Sequence, residues 1–540
     1  MSRSYQTSSD AENQLSCLPY GSGHNSEGVC LLVKMGPHRI LLDCGLEDVS
    51  ALQTTNPPAE LIICTHAHQD HVQGIWDLHK TFPQIPIYAS EVTVKLLPLN
   101  WPNLSPQEIG RFCYSLPWYS PIEFSNNLVA QLFPAGHLPG AAAIALTYTT
   151  YQRSYTLLYT GDFFLSNSQL VEGLSIEALR DLSPDVLIIE GTYGTSRHPH
   201  RRQQEKKLME RINQALAQNK SVLMPVPPLG LGQEILKLLR SHHQFTGRDL
   251  DIWVDSKVAR GCDYYLTLLP DFPVSVQNFA KHQPLFWDER VRPRMRRLDN
   301  LQQTISLEQK PCLLLTDINN NWQEHDCFEE DSWLILLPDY LEHLLDHKIN
   351  QKLSVENYLL AQHSDRQGTT QLIHNLRPQH VIFIHGFPDY LADLTSLEEL
   401  QNRYHLHSPL TGTLVELPIG EKFIQPAPPP ETYYEGQLSE LETGVNITLP
   451  NSISRDSRWH NFGDTGLIEA RWQGEELVLR GLSQRELLSQ SDDTKILADT
   501  DCCGNCRYQK GQRCWNQTSP LWGFKVTPDG YCPVFESEEP

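Results

Sequence analysis

Several short apolar runs in this chain stop at a side chain that can bind metal, and that pattern limits the possible folds most. "LIICTHAHQDHVQG", residues 61–74, places His66, His68, Asp70 and His71 within six positions directly after an apolar stretch. "LIIC" reads as a buried strand and "DHVQGIWDLHKTF" as a helix start, so the cluster lies on a strand-to-helix turn. On extended backbone His66 and His68 point the same way. Asp70 and His71 follow where the helix begins and can face a second centre. Imidazoles this dense repel one another when protonated and gain most by sharing a cation. His137 in "LFPAGHLPG", Asp162 in "YTGDF" and His385 in "IHGFP" also sit just past apolar strands. That is where a sheet presents side chains to a common crevice. The expected grouping is His66, His68 and His137 on one ion, Asp70, His71 and His385 on another, and Asp162 between them. Imidazole and carboxylate without thiolate suit a catalytic zinc pair with a position left for water.

At 540 residues more than one domain is expected. Residues 1–30 contain no apolar h-region, so no signal peptide is read, and no run of about 18 apolar residues occurs to span a membrane. A cytoplasmic protein is the expectation. The formal charge of −22 argues against tight non-specific binding to a polyanion. A nucleic-acid substrate must therefore meet a local basic groove or metal ions. Eight of the 13 cysteines are scattered singly, several in apolar strands as core thiols are; five crowd into residues 502–532. Without a secretory signal that cluster reads as a metal site, not a disulfide framework.

Residues 28 to about 190 are strand-rich, beginning with a hairpin, "GVCLLVKMG" and "HRILLDCG". From about 196 the rhythm changes. The helix "HRRQQEKKLMERINQALAQNK" is followed by the strand "SVLMPVPP", the helix "LGQEILKLLRSH", the strand "LDIWVD" and the helix "KVARGCDYYLTLL". Such alternation predicts a parallel α/β unit. After about 352 come "VENYLLAQHSD", the helix "RQGTTQLIHNLR" and the strand "HVIFIHG". "PAPPPETYYEGQ" is a Pro-rich linker, and "EARWQGEELVLRG" a short β-like module.

"THAHQDH", "GHLPG", "TGDF" and the strand-terminal "LLDCG" resemble the metallo-β-lactamase superfamily. More specifically, "IIEGTYGTSRH", "AQHSD" and "IHGFP" resemble the additional motifs of the β-CASP nucleases, the group that includes ribonuclease J and the nuclease subunit of the cleavage and polyadenylation specificity factor. The resemblance covers roughly residues 15 to 420. It implies an α/β fold: an αββα metallo-β-lactamase sandwich with an inserted α/β β-CASP cap and a small C-terminal Cys-rich module. The expected boundaries are 1–194 and 353–425 for the two parts of the sandwich and 195–352 for the cap. Residues 426–440 would be the linker, 441–495 the β module and 496–540 the Cys-rich module. Asp43 matches the structural aspartate that braces the metal loop. His363 matches the family's histidine near the scissile phosphate, which Glu190 would orient through a hydrogen bond, with Asp365 as a helper. The relatives nearest the polyadenylation factor carry two glycine-rich elements that are absent from "LLLTDINNNWQEHDCF" and "LLPDYLEHLLDHKI", so a different substrate surface is expected on the cap.

This resemblance implies a zinc-dependent hydrolase cutting RNA, with two Zn2+ ions and Asp70, His363, Glu190 and Asp365 as catalytic residues. Small-ester or thioester hydrolysis and an idle scaffold are the alternatives, and RNA versus DNA, endo- versus exonuclease and monomer versus homo-oligomer stay open. Candidate nucleic-acid contacts are Arg197, Arg201 and Arg202 in "RHPHRR", and Arg292 and Arg294 in "DERVRPRMRR", with Arg290, Arg296 and Arg297 beside them. At the C-terminus Cys503, Cys506, Cys514 and Cys532 have C-x2-C-x7-C-x17-C spacing. Four thiolates among dense aromatics suit a [4Fe–4S] cluster or structural zinc. "CxNCxY…GYCPVF" resembles a small high-potential iron–sulfur protein, which implies the cluster. A redox or protein partner is expected at that module.

Overall fold

A computed structural model describes residues 15–426 apart from 25–26, 126, 299–310, 321–331, 342–353, 421–422 and 424. Beyond 426 it describes 437–441, 444–448, 468–473, 476–481, 506–510, 513–519, 522–523, 526 and 534. Cys503, Cys532 and most of the Pro-rich linker lie outside these residues. The chain forms two compact units: residues 1–174 with 182–426, and 175–181 with 427–540.

The first unit begins with β1 (Leu15–Ser22), β2 (Val29–Met35), β3 (His38–Leu42), β4 (Leu61–Ile63), β5 (Ile87–Ser90) and β6 (Cys113–Leu116). A second run follows: β7 (Ile122–Ser125), β8 (Leu128–Pro134), β9 (Ala142–Thr149), β10 (Ser154–Tyr159) and β11 (Val186–Glu190). The chain then builds β12 (Ser221–Val226), β13 (Asp251–Asp255), β14 (Arg294–Leu298), β15 (Leu313–Asp317), β16 (Trp333–Pro338) and β17 (Val355–Tyr358). It returns through β18 (His380–Ile384), β19 (His405–His407) and β20 (Val415–Glu416).

Three sheets result. The first has the order β20-β1-β2-β3-β4-β5-β6, and the second β19-β18-β11-β10-β9-β8-β7. Their apolar faces share one core, with Leu31, Ile40 and Ile63 from the first sheet and Leu132, Leu157 and Ile188 from the second. The alternating burial of β1, buried at every second residue, is what a strand with one face in a core requires. By contrast β11 and β18 are buried throughout, as central parallel strands are. The third sheet, β14-β13-β15-β12-β16-β17, pairs in parallel throughout. It is inserted between β11 and β18, which are themselves adjacent and parallel. Its last strand lies C-terminal of the boundary expected at 352. The helices quoted from the sequence form at α1 (Gln69–Val72), α2 (Arg201–Ala217), α3 (Leu231–Ser241), α4 (Ser256–Thr267) and α5 (Arg366–Leu376).

Two side chains and a backbone carbonyl form a hydrogen-bonded seam at the edge of the second sheet. His380 Nδ1 and His407 Nε2 are 3.0 Å apart, and His380 Nε2 donates to the Pro418 carbonyl at 3.0 Å. Burial lowers the pKa of His380. Burial, with the neighbouring His380 and His405, drives His407 down to about 4. A histidine held below its ordinary value of about 6.5 costs nothing above that pH and loses stability as pH falls from there toward 4. Thermal melts from pH 7 to pH 4 should show a falling Tm, and His407→Gln should flatten the slope relative to wild type.

Candidate metal centre

Every residue singled out as a metal ligand stands at the C-terminal edge of the two facing sheets. Asp43 follows β3 in the left-handed conformation at φ 58° and is fully buried. Four donors surround its carboxylate. Thr65 N reaches Oδ1 at 2.7 Å; Thr65 Oγ1 at 2.9 Å, Tyr159 OH at 2.8 Å and His71 Nδ1 at 2.9 Å reach Oδ2. A buried carboxylate is tolerated when it is hydrogen-bonded in this way. The close packing leaves no room at Gly45, where an added Cβ would lie 1.6 Å from the Asp70 carbonyl oxygen.

Each metal-loop imidazole has its outer nitrogen engaged. His71 donates to Asp43, His66 Nδ1 to Thr65 Oγ1 at 3.0 Å, and His137 Nδ1 to the Gln362 carbonyl at 3.0 Å. His68 Nε2 is 3.3 Å from the Leu229 carbonyl, and His385 Nδ1 is 2.9 Å from Thr192 Oγ1. Such outer partners fix tautomer and ring orientation, leaving the other nitrogen for a cation.

The inner atoms form overlapping groups. His66 Nε2 and His68 Nδ1 are 3.2 Å apart, His68 Nδ1 and His137 Nε2 3.0 Å. Asp162 Oδ2 lies 3.5 Å from His66 Nε2 and 3.7 Å from His137 Nε2. It is also 3.5 Å from His71 Nε2, while Asp162 Oδ1 lies 3.6 Å from the outer nitrogen of His385, Nδ1. His385 Nε2 and His71 Nε2 stand 3.3 Å and 4.0 Å from Asp70 Oδ2. In each of the sets His66–His68–His137–Asp162 and Asp70–His71–His385, the candidate ligand atoms fall within 4.8 Å of one another.

His71 Nε2 and Asp162 Oδ1 are buried with no hydrogen-bond partner among the described residues. An orphaned buried polar atom costs about 1–3 kcal/mol, and a shared divalent cation removes that cost for both. Burial, and then the neighbouring His71, holds His66 well below the ordinary histidine value; burial and then His363 do the same to His137. Both are thus neutral, the form that binds metal. Burial also opposes the charged form of His71, but Asp162, Asp43 and Asp70 together outweigh it and raise its pKa. The donor set is that of a divalent metal centre.

His363 adjoins this cluster. Its Nδ1 is 3.0 Å from Glu190 Oε1, which also accepts from Phe163 N at 2.9 Å. Thr192 Oγ1 donates a short hydrogen bond to Glu190 Oε2. Burial opposes the charged form of His363, yet Glu190 prevails and its pKa is raised. Its ring lies 4.6 Å from that of His137 and 5.8 Å from that of His385. Asp365 is placed differently. It caps α5, accepting from Gly368 N at 3.0 Å and from His198 N at 2.9 Å. With both oxygens on backbone amides it holds the "AQHSD" turn in place and belongs to none of the metal-competent groups.

Most of the expected nucleic-acid arginines have other partners. Arg201 is buried, donating to the Ala361 carbonyl and to Glu205, so it is removed as a surface contact. Arg294 pairs with Asp249 at 2.7 Å and Asp251 at 2.6 Å, and Arg292 lies 3.8 Å from Asp249. Arg296, Arg297 and Arg290 face Asp251, Asp263 and Asp288. The "DERVRPRMRR" cluster is a strand edge whose charge is answered by carboxylates. Arg197 and Arg202 are exposed. Thr65, Thr192 and Tyr159 escaped the sequence reading, although all three sit inside the quoted stretches. The Leu229 and Gln362 carbonyls carry no sequence signal.

The chain matches the "Beta-lactamase superfamily domain" over residues 38–223 and the "Zn-dependent metallo-hydrolase RNA specificity domain" over 348–406. It is 51% identical to "Uncharacterized protein sll0514" of Synechocystis sp. across 99% of both chains. It is 30% identical to "Probable RNase MJ4" of Methanocaldococcus jannaschii, over 40% of this chain and 54% of that protein. It is 28% identical to "Ribonuclease TTHA0252" of Thermus thermophilus, over 48% of this chain and 63% of that one. The matches to the two named ribonucleases thus span less than two thirds of their lengths. The chain belongs to the metallo-β-lactamase superfamily, in its β-CASP family of zinc-dependent hydrolases.

Loss of the Asp43 brace should weaken the metal site. Asp43→Asn is expected to lower zinc affinity roughly 10- to 100-fold, the range for outer partners of metal ligands. Tyr159→Phe, which deletes one of four donors, should have the smaller effect. Zinc retained after dialysis against a chelator measures both.

Proposed function

We propose that this chain is a two-zinc phosphodiesterase that hydrolyses single-stranded RNA in RNA processing or decay. The observation that carries the reading is that Asp162 Oδ2 lies within 3.7 Å of His66 and His137 on one side and 3.5 Å of His71 on the other, with the Glu190-held His363 alongside. The RNA-specificity model matched at 348–406 and the ribonuclease names of two relatives support RNA as substrate.

In this reading His66, His68 and His137 would hold one ion, Asp70, His71 and His385 the other, and Asp162 would serve both. Two zinc ions, when bound, supply an activated water and neutralise the scissile phosphate. The protein does the rest. Asp43 keeps the loop of residues 65–71 in register, so the ligands need not reorganise. Glu190 accepts the His363 Nδ1 proton and favours the charged ring, whose Nε2–H can donate to phosphate oxygen or the departing oxygen. The burial of His363 strengthens that interaction. Hydrolysis of a small ester or thioester on the same sandwich is the second reading; the inserted six-stranded sheet disfavours it, since a small substrate needs no such cover.

The C-terminal unit is proposed to hold a [4Fe–4S] cluster on Cys503, Cys506, Cys514 and Cys532, or structural zinc at the same place. Cys506 and Cys514 are both buried, and Cys514 is bridged to Trp522. A redox or protein partner at this unit and a cytoplasmic location complete the proposal. No helix among the described residues is long and apolar enough to cross a membrane.

With end-labelled RNA, Asp70→Ala and His71→Ala should abolish cleavage while leaving thermal unfolding cooperative. His363→Ala should slow cleavage far more than it weakens RNA binding. Single strands should be cut in preference to duplex, and rapid turnover of a small ester without cleavage of any RNA would favour the second reading. Anaerobically purified protein should absorb broadly near ~400 nm, as thiolate-ligated iron clusters do. Cys506→Ser should remove that absorption and Cys113→Ser should leave it; colourless protein with one extra zinc, lost on Cys506→Ser, would establish structural zinc instead.

A further inference from the structure

A buried ion pair lies beneath the inserted sheet, apart from the metal cluster. Glu234 on α3 is 3% exposed and Arg201 at the start of α2 is 5% exposed. Glu234 Oε1 accepts from Ser168 Oγ and from Leu170 N, each at 2.9 Å, and Oε2 accepts from Gln169 N at 2.7 Å. A single carboxylate of the cap thus gathers three donors from one loop of the sandwich. Arg201 Nη2 stands 3.5 Å from the same carboxylate.

Both helices lead from this pair to the metal ligands. Arg201 Nη1 donates to the Ala361 carbonyl, and Gln204, one turn along α2, accepts from Ala361 N at 2.8 Å. The next residue, Gln362, offers the carbonyl that orients His137, and His363 follows it. At the other end, α3 begins just after Leu229, whose carbonyl faces His68 Nε2. Two of the three imidazoles in one ligand group therefore take their outer acceptors from segments anchored by α2 and α3. Neither acceptor is a side chain, so neither can move unless its segment moves.

We propose that Glu234 and Arg201 are positioning residues of the metal centre. By seating the cap on residues 168–170 they hold the Leu229 and Gln362 carbonyls against His68 and His137. Zinc affinity at the His66–His68–His137 group is therefore set from the cap. Rupture of this clamp frees the outer nitrogens of both rings, and loss of such partners typically lowers metal affinity 10- to 100-fold. A buried charge left without its partner cannot stay in place at low cost, so the clamp engages or releases as a unit. The inference rests on the reading of the cluster as a metal site.

The test is zinc titration of the full chain against a chromophoric chelator, with a thermal melt of each variant. Wild type should bind zinc. Glu234→Gln, nearly isosteric, should raise the dissociation constant of one ion about tenfold or more and leave the other near wild type. Ser168→Ala, which removes a single donor, should give a smaller change in the same ion and serves if Glu234→Gln does not fold. Leu239→Ala, a fully buried residue of the same helix outside the clamp, controls for stability: its Tm should fall while both zinc constants stay unchanged. Wild-type zinc affinity in both Glu234→Gln and Ser168→Ala, or equal zinc loss in Leu239→Ala, overturns the proposal. A wild-type chain that binds no zinc overturns the metal reading, and this inference with it.

Discussion

The carboxylate of Asp43 is the interaction on which the rest of the centre depends. It has no exposure to solvent and lies at the edge of the apolar sandwich core. Such a group survives only if every lone pair is used, and its four donors come from three separate places. Thr65 lies at the end of β4, His71 on α1, and Tyr159 on β10 of the opposite sheet. One buried charge thereby ties the metal loop to both sheets. The same requirement explains Gly45: the chain after Asp43 runs so close to the Asp70 carbonyl that no side chain fits. His385 meets a related constraint with φ 51°, a left-handed backbone that turns its ring inward just past β18.

The site is assembled in layers of increasing distance from the ligand atoms. Inner nitrogens and carboxylates face one another at 3.0–4.0 Å. Their outer atoms are held by Thr65, Thr192, Asp43 and two backbone carbonyls. Those carbonyls are held in turn by the inserted unit, through Arg201, Gln204 and the start of α3. The inserted unit thus takes part in holding these ligand atoms in place.

Residues 61–71 disclosed their role because the relevant chemistry is local. A strand followed by dense imidazoles has few other uses, and the periodicity that makes "LIIC" a strand lies in the same window. The partners of the arginines were hidden for the opposite reason. In "DERVRPRMRR" a run of positive charge looks like a groove lining, yet Arg294 finds Asp251 and Arg297 finds Asp263, 43 and 34 positions away. Arg201 looked like the edge of a basic patch and is instead buried against Glu205 and Glu234. Asp365 lies within a functional motif but serves as a helix cap, a role its spacing to Gly368 permits and its motif conceals.

By itself the sequence determined which side chains could bind metal, which segments become strands, and that each candidate stands at a strand end. Side-chain chemistry and backbone periodicity are properties of a few consecutive residues. Tertiary structure decided which candidates meet. His385 and Asp70 are 315 positions apart and come within 3.3 Å because β4 and β18, in opposite sheets, end at the same edge. It also decided which charges remain available to a partner and which backbone carbonyls orient the ligands. Those outcomes depend on distances across the folded chain, and a carbonyl is the same in every residue until folding aims it.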